Sequence, residues 1–148
     1  MKKVIITGTT GMVGKGILLE CLDHHEISEV LSIGRSKIGI EHPKLKELIH
    51  KDFSDFSSVK NQLTDYDACF YSLGISATGL TEESYRTISY DYTMELANIL
   101  LKNNPQMTFN YVSGEGTDSS EKSRMMWARV KGKTENHLLK LGFKQAYM

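Results

Sequence analysis

Cysteine and proline are scarce in this sequence, with two of each among 148 residues. Two cysteines cannot form the disulfide framework on which many small secreted domains depend. Cys21 lies in a helical pattern and Cys69 in an apolar strand pattern, so both are predicted to be buried thiols. The histidine pair His24-His25 stands at a predicted helix end, where neighbouring side chains point apart and no third ligand is near. No metal site is therefore predicted.

Long apolar runs and an excess of either charge are also missing. No stretch approaches the roughly 20 apolar residues that a membrane-spanning helix needs. Eighteen basic residues balance eighteen acidic ones, so no overall field attracts the chain to nucleic acid or anionic lipid. The first strand pattern begins at the N-terminus and leaves no room for a signal peptide. We therefore expect a cytoplasmic protein with no nucleic-acid partner and no membrane partner.

A glycine-rich turn after a short apolar run is the strongest signal that the sequence does contain. Val4, Ile5 and Ile6 predict a strand buried on both faces. Three glycines follow at three-residue spacing, directly before a helical pattern, in the segment Gly8-Thr9-Thr10-Gly11-Met12-Val13-Gly14. This order suits the binding of a dinucleotide pyrophosphate. Gly8 permits the sharp bend, Gly11 permits the approach of the phosphates, and Gly14 permits close packing of the helix on the sheet. The alternative is a glycine-rich connection with no ligand.

The rest of the chain alternates strand and helix patterns. Apolar runs predict further strands at Val30–Ile33, Leu48–Ile49, Ala68–Tyr71 and Thr108–Val112, and the start of a sixth at Gln145–Met148. Helical periodicity lies between them, over about Val13–Leu22, Phe56–Leu63, Glu82–Lys102 and Arg124–Leu141. Val13, Ile17 and Cys21 are predicted to face the sheet. The alternation predicts one α/β domain over residues 1–148, a doubly wound parallel sheet (Rossmann fold) with strand order 3-2-1-4-5 and an incipient sixth strand.

Residues at the predicted strand ends supply more candidates for a nucleotide site. In such folds an acid after the second strand binds the 2′-hydroxyl of NAD, whereas an arginine accommodates the 2′-phosphate of NADP. Arg35 and Ser36 stand there without an acid, which favours NADP(H) over NAD(H), although a solvated basic turn would look the same. Asp52 and Phe53 are candidates for holding the adenine, and Asp52 equally suits a helix cap. Room for the nicotinamide-side ribose and phosphate is predicted after the fourth strand, at Ser72, Leu73 and Gly74.

With these motifs located, the chain resembles the short-chain dehydrogenase/reductase superfamily in its extended and atypical branches. Their motif T-G-x-x-G-x-x-G matches Thr7 to Gly14. The likeness is to NAD(P)H-binding proteins grouped with nucleoside-diphosphate-sugar epimerases, including relatives of the Tat-interacting protein. Ser113 stands at the carboxyl end of the fifth strand, where open α/β sheets place their chemistry. A polar segment, residues 114–123, follows it and is predicted to be mobile.

The resemblance implies hydride transfer that uses a serine at the fifth strand end and a Tyr-x-x-x-Lys pair on the next helix. Ser113 and Lys131 match two of these positions, and Lys131 would bond the nicotinamide ribose. The tyrosine position holds Trp127, whose indole donates a hydrogen bond but exchanges no proton near neutral pH. Ser113, a bound water or another tyrosine could supply the proton instead. The alternative is that Trp127 only covers the nicotinamide as a buried aromatic ring.

These matches predict an NADP(H)-binding oxidoreductase or nucleoside-diphosphate-sugar epimerase with an impaired or altered proton donor. The first alternative is a non-catalytic protein that senses NAD(P)H or acts in regulation, and the second is a flavin reductase built on the same sheet. The resemblance also implies a substrate lobe after the sixth strand, which is absent from this chain, so the segment 114–123 is expected to define the substrate. A small-molecule substrate of unknown identity is the expected partner, and a homodimer is the assembly we consider.

Overall fold

The computed structural model describes residues 1–148 and contains one six-stranded parallel sheet. Its strands are β1 (Lys2–Thr7), β2 (Ile27–Gly34), β3 (Leu45–Ile49), β4 (Ala68–Tyr71), β5 (Thr108–Tyr111) and β6 (Gln145–Tyr147). The spatial order is β3-β2-β1-β4-β5-β6, which confirms the predicted Rossmann order and places the sixth strand at one edge. The direction of winding reverses between β1 and β4, so a crevice opens at the carboxyl ends of those two strands.

Four helices connect the strands, and they are α1 (Met12–Asp23), α2 (Glu82–Arg86), α3 (Tyr92–Asn103) and α4 (Met126–Leu141). The predicted long helix begins as expected, because the hydroxyl oxygen of Thr81 accepts a hydrogen bond of 3.2 Å from the N–H of Ser84. It is not uniform, since one π-helical turn, Thr87–Asp91, joins α2 to α3. Gly142 ends α4 in the left-handed conformation, at φ +106°. No helix combines the length and the apolar character required to cross a membrane.

Two apolar cores of unequal size lie on the two faces of the sheet, because successive strand residues point to opposite faces. The larger has 17 buried residues, including Ile5, Cys69 and Leu96, and lies under α3 and α4. The smaller joins the sheet to α1 and has six: Val4, Ile6, Leu18, Cys21, Leu22 and Val30. Cys21 and Cys69 are therefore buried free thiols, as predicted.

The face of α1 that meets the sheet differs from the prediction at one residue. Val13 is 46% exposed, whereas Gly14 and Cys21 are buried and Ile17 packs against the smaller core. Gly14 takes the place predicted for Val13 because it lies directly against the carbonyl group of Gly8 and the side chain of Ser72. A Cβ at Gly14 would be 2.1 Å from the carbonyl oxygen of Gly8 and 2.6 Å from the hydroxyl oxygen of Ser72. Close approach of the backbones, rather than apolar side-chain packing, fixes the start of this helix.

The helix predicted over Phe56–Leu63 is wrong, since only a short 3₁₀ turn forms, at Lys60–Gln62. Phe56 and Leu63 are fully buried, as the apolar pattern required. However, the N–H groups of Val59, Gln62 and Leu63 bond to the carbonyl oxygens three residues earlier, and not four as in an α-helix. Such bonds define turns that are tighter than an α-helix. α4 likewise begins two residues later than predicted, at Met126.

The histidine pair also differs in detail from its prediction. The rings of His24 and His25 do not point apart but stack, with their centroids 5.0 Å apart. Both side chains are exposed. No group of three or more His, Cys, Asp or Glu side chains is arranged to hold a metal ion.

A matched pair of glycine substitutions tests the close approach at the start of α1. We expect Gly14→Ala to destabilise the fold by about 1–3 kcal/mol, because the added Cβ would overlap the Gly8 carbonyl group. Gly16 lies two residues further along the same helix, with nothing within 4 Å of its Cβ position. Gly16→Ala should stabilise by about 0.4–1 kcal/mol. Urea unfolding measures both, and equal midpoints for the two variants would contradict the packing described.

Candidate functional site

The glycine turn after β1 has the geometry that the spacing predicted. Gly8 has a φ of +71°, and a Cβ there would lie 2.5 Å from the carbonyl oxygen of Ser72. Hydrogen bonds lock this turn to both neighbouring strands. The hydroxyl of Ser72 donates to the carbonyl oxygen of Thr7, and the hydroxyl oxygens of Thr9 and Ser32, both buried, lie 2.8 Å apart. The turn is therefore held in place before any ligand arrives.

The N-terminus of α1 is free to bind an anion. Gly11 is the N-cap residue, no side chain caps the helix, and the first turn contains no acidic residue. Its leading N–H groups, from Met12 to Gly14, therefore have no side-chain partner and carry the positive end of the helix dipole. Gly11 also differs from its two neighbours in the motif, because a Cβ there would meet only the Gly8 carbonyl oxygen, at 3.4 Å. The space in front of Gly11 is open.

A cleft of about 230 Å³ lies in the crevice between the carboxyl ends of β1, β2 and β4. The predicted residues that line it are Gly8, Thr9, Thr10, Arg35, Ser36, Phe53, Leu73 and Gly74. Lys51, Ile75, Ile88 and Tyr92 line it as well. The only charged side chains in the lining are those of Arg35 and Lys51, and no carboxylate accompanies them. The cleft is therefore cationic at the end near β2 and β3.

Asp52 and Phe53, the two candidates for the adenine, point to different surroundings. Phe53 is buried, lines the cleft, and packs edge to face on Phe56 with ring centroids 5.2 Å apart. Asp52 is exposed and does not line the cleft. Its carboxylate accepts hydrogen bonds from the N–H and the hydroxyl of Ser54, and these bonds lower the pKa of Asp52. Asp52 therefore caps a turn and does not cap a helix.

A second group of polar side chains surrounds the carboxyl end of β5. The hydroxyl of Ser113 donates a hydrogen bond to Oε1 of Glu135 on α4. The hydroxyl of Thr117 donates to the same oxygen, at 3.0 Å. The carboxylate of Glu135 thereby joins the end of the strand, the following loop and the helix.

Lys131 and Trp127 precede Glu135 on α4 at intervals of four residues, so the three share one face of the helix. Nζ of Lys131 lies 5.2 Å from the centroid of the Tyr111 ring. Burial lowers the pKa of Lys131, and the nearby carboxylate of Glu135 opposes that shift. Trp127 is partly buried, and its ring edge would lie 3.4 Å from a Cβ at Gly116. Sequence spacing alone predicted that Trp127 and Lys131 share a face.

The segment 114–123, predicted to be mobile, is tied down by several contacts. The carboxylate of Asp118 accepts hydrogen bonds from the hydroxyl of Ser120 and from the N–H groups of Ser120, Lys122 and Ser123. These hydrogen bonds lower the pKa of Asp118 to about 2, and the bond from the Ser120 hydroxyl contributes most to this shift. The backbone of Asp118 rests on α4 so closely that a Cβ at Gly132 would be 1.8 Å from its carbonyl oxygen.

Sequence reasoning missed Lys51 and Glu135, although each had a signal. Lys51 immediately precedes the pair Asp52-Phe53 at the third strand end, and its charge matches that of Arg35. Glu135 follows Lys131 by four residues and so lies on the same helix face. Ile88 and Tyr92 are also four residues apart and line the cleft together. Tyr92 is partly exposed, so only part of its ring packs against the core.

Comparison with known proteins gives relatives but no match to a family model. The chain is 28% identical over 144 residues to the protein HTATIP2 of Rattus norvegicus, covering 96% of this chain and 58% of that protein. It is 28% identical over 152 residues to the protein fmp52, mitochondrial, of Emericella nidulans, covering 98% of this chain and 64% of that protein. The chain thus spans about three fifths of the length of these curated relatives.

Solved structures share the fold at low sequence identity. The ADP-L-glycero-D-manno-heptose-6-epimerase of Helicobacter pylori matches with a TM-score of 0.76 and 16% identity, over 99% of this chain and 53% of that one. The enzyme WbmH of Bordetella bronchiseptica, solved in complex with NAD+, matches with a TM-score of 0.76 and 20% identity, over 97% and 53%. The curated relatives bear out the predicted resemblance to relatives of the Tat-interacting protein, and the solved structures share the Rossmann fold.

Proposed function

We propose that this chain binds NADP(H) and is an oxidoreductase or nucleoside-diphosphate-sugar epimerase of the short-chain dehydrogenase type. The observation that carries the proposal is the uncapped N-terminus of α1 beside an open Gly11. At Gly8 and Gly14 other atoms of the protein lie within 2.6 Å of the position of a Cβ, whereas at Gly11 the nearest atom, the Gly8 carbonyl oxygen, is 3.4 Å away. A glycine that serves no internal packing, at the positive end of a helix, suits the close approach of a pyrophosphate.

The residues around the cleft fit the rest of a dinucleotide. N–H groups of Met12 and Val13 would hold the pyrophosphate, and the ring of Phe53 would lie beside the adenine. Arg35 and Lys51 would bind the 2′-phosphate, for which a pair of cations without a carboxylate is suited. On the far side, Lys131 would donate to the nicotinamide ribose. The similarity to an enzyme solved with NAD+ supports a nicotinamide cofactor, and the two cations favour its phosphorylated form.

A bound nicotinamide would supply a hydride acceptor or donor. A side chain of the protein would then have to donate or accept the proton of the substrate hydroxyl group. Trp127 cannot do so, because its indole keeps its proton near neutral pH. Tyr111, the aromatic residue beside Lys131, is buried, and this burial raises the pKa of its phenol. We therefore propose an altered proton path for the enzyme.

The second candidate function is a non-catalytic protein that senses NAD(P)H or acts in regulation. Trp127 at the tyrosine position is the observation that favours it. In that case Ser113 and Lys131 would only position the cofactor. We also propose a cytoplasmic location, although the fungal relative is named as mitochondrial.

Substitution at Gly11 tests the cofactor site. Gly11→Val should weaken NADPH binding by about 1–3 kcal/mol, because a branched side chain would occupy the space proposed for the phosphates. The backbone there, at φ −85° and ψ 166°, is one that valine adopts readily, so the fold should survive. Calorimetry measures the affinity and circular dichroism checks the fold. Unchanged affinity in Gly11→Val would overturn the proposed site.

The cation pair predicts a preference for NADPH over NADH. Charge-assisted hydrogen bonds contribute about 1.5–3 kcal/mol each, so the preference should be roughly tenfold or more. Arg35→Ala and Lys51→Ala should each remove much of it and reduce its dependence on salt. Lys37→Ala is the matched control, because Lys37 is an exposed cation that follows the same strand but does not line the cleft. Equal affinities of the unaltered protein for both cofactors would contradict the assignment.

Trp127 decides between the two candidate functions. As the only tryptophan, it should lose fluorescence when NADPH binds, because α4 would carry it to the nicotinamide end. Turnover of common aldehydes and ketones should be very slow. Trp127→Tyr should raise that rate, by up to the 10²–10⁴-fold that general acid–base help contributes, while Trp127→Phe serves as control. Brisk turnover that Trp127→Phe leaves unchanged would show that another residue supplies the proton.

A further inference from the structure

The hydrogen bonds around Glu135 bear on which ligand the site takes. Ser113, at the end of β5, and Thr117, in the following loop, both donate hydrogen bonds to Oε1 of Glu135. All three side chains are partly buried. An ionised carboxylate only accepts hydrogen bonds, so the direction of these two bonds is fixed by chemistry.

The bond to Glu135 determines what Ser113 can offer to a ligand. A serine hydroxyl has one proton and two lone pairs. Because the proton of Ser113 is directed to Glu135, only the lone pairs remain for a ligand. A carbonyl oxygen would meet these lone pairs with its own and gain no hydrogen bond, whereas a hydroxyl group would donate its proton to them.

The neighbouring groups do not change this direction. The indole of Trp127 makes no hydrogen bond in the structure, and its N–H can only donate. Lys131 also only donates, and it is assigned to the ribose in the proposed function. Tyr111 is buried beneath Lys131. The hydroxyl groups at this end of the site that offer lone pairs to a ligand are therefore those of Ser113 and Thr117, which both direct their protons to Glu135.

We infer that Glu135 is a positioning residue that holds Ser113 as a hydrogen-bond acceptor, so that the site takes a ligand with a hydroxyl group. This inference rests on the proposed function. The corresponding reaction is oxidation of an alcohol or a sugar hydroxyl by NADP+. The hydroxyl proton passes to Oγ of Ser113 as the proton of Ser113 passes to Glu135, and the hydride from the carbinol carbon passes to the nicotinamide. The alcohol becomes a carbonyl compound, NADP+ becomes NADPH, and one proton remains on Glu135.

Binding of two unreactive probes tests this inference without turnover. Para-fluorobenzyl alcohol offers a hydroxyl group, whereas N,N-dimethyl-para-fluorobenzamide offers a carbonyl oxygen and no donor. With the chain saturated by NADPH, neither can react, because the reduced cofactor accepts no hydride and the amide is not reduced. Fluorine NMR gives both dissociation constants. We expect the alcohol to bind at least about tenfold more tightly than the amide in the unaltered protein.

Three variants separate the direction of the hydrogen bond from the anchoring of the loop. Glu135→Gln keeps an accepting oxygen but adds an N–H donor, so Ser113 can turn its proton to the ligand and the preference should fall to within about threefold. Ser113→Ala should also lose the preference. Asn136→Ala is the control, because Asn136 anchors the same loop through a 2.8 Å bond to the carbonyl oxygen of Ser119, and it should keep the preference.

The outcomes distinguish this inference from the proposed function. Failure of the unaltered protein to bind NADPH in calorimetry would reject the proposed function itself. Normal NADPH binding without preference for the alcohol, or without binding of either probe, would reject only the role of Glu135. Retention of the full preference in Glu135→Gln would reject that role as well, because a merely structural contact survives this substitution.

Discussion

The close approach of α1 to the ends of β1 and β4 is the constraint on which the rest of the site depends. Gly14 touches the backbone of Gly8, and both lie against Ser72. This contact aims the first turn of α1 at the crevice where the sheet reverses its winding, so the helix dipole and the open face of Gly11 meet at one point. A side chain at Gly14 would tilt the helix and separate these features.

Local patterns predicted most of the fold. The bounds of β4, Ala68–Tyr71, match the apolar run, and the strand order follows from the alternation of strands and helices. The helix predicted over Phe56–Leu63 failed because the chain forms tighter turns there. The apolar spacing of Phe56 and Leu63 is compatible with a helix, yet N–H groups of this segment bond three residues back and not four. Apolar periodicity reports burial and does not report which backbone bonds form.

The candidate site could be predicted only in part, because it combines one local motif with distant residues. The glycine turn is contained in a few consecutive residues, so its geometry follows from its spacing. Lys51, Tyr92 and Glu135 belong to three separate segments, the loop after β3, α3 and α4, that tertiary packing brings to the crevice or to β5. The sequence shows their charges and helix faces but does not show which partners they meet. The functional roles of all these residues stay predictions.

The unequal division of the core makes one layer of the molecule easier to open than the other. Six buried residues hold α1 to the sheet, whereas 17 form the core on the opposite face. Local opening costs less where less apolar surface is buried, so we expect α1 to open at a lower cost in free energy than α3 and α4. An anion bound at the start of α1, as proposed, would be lost on that opening, so a higher anion concentration would make the opening rarer. The resistance of this layer to proteases would then depend on the supply of the ligand.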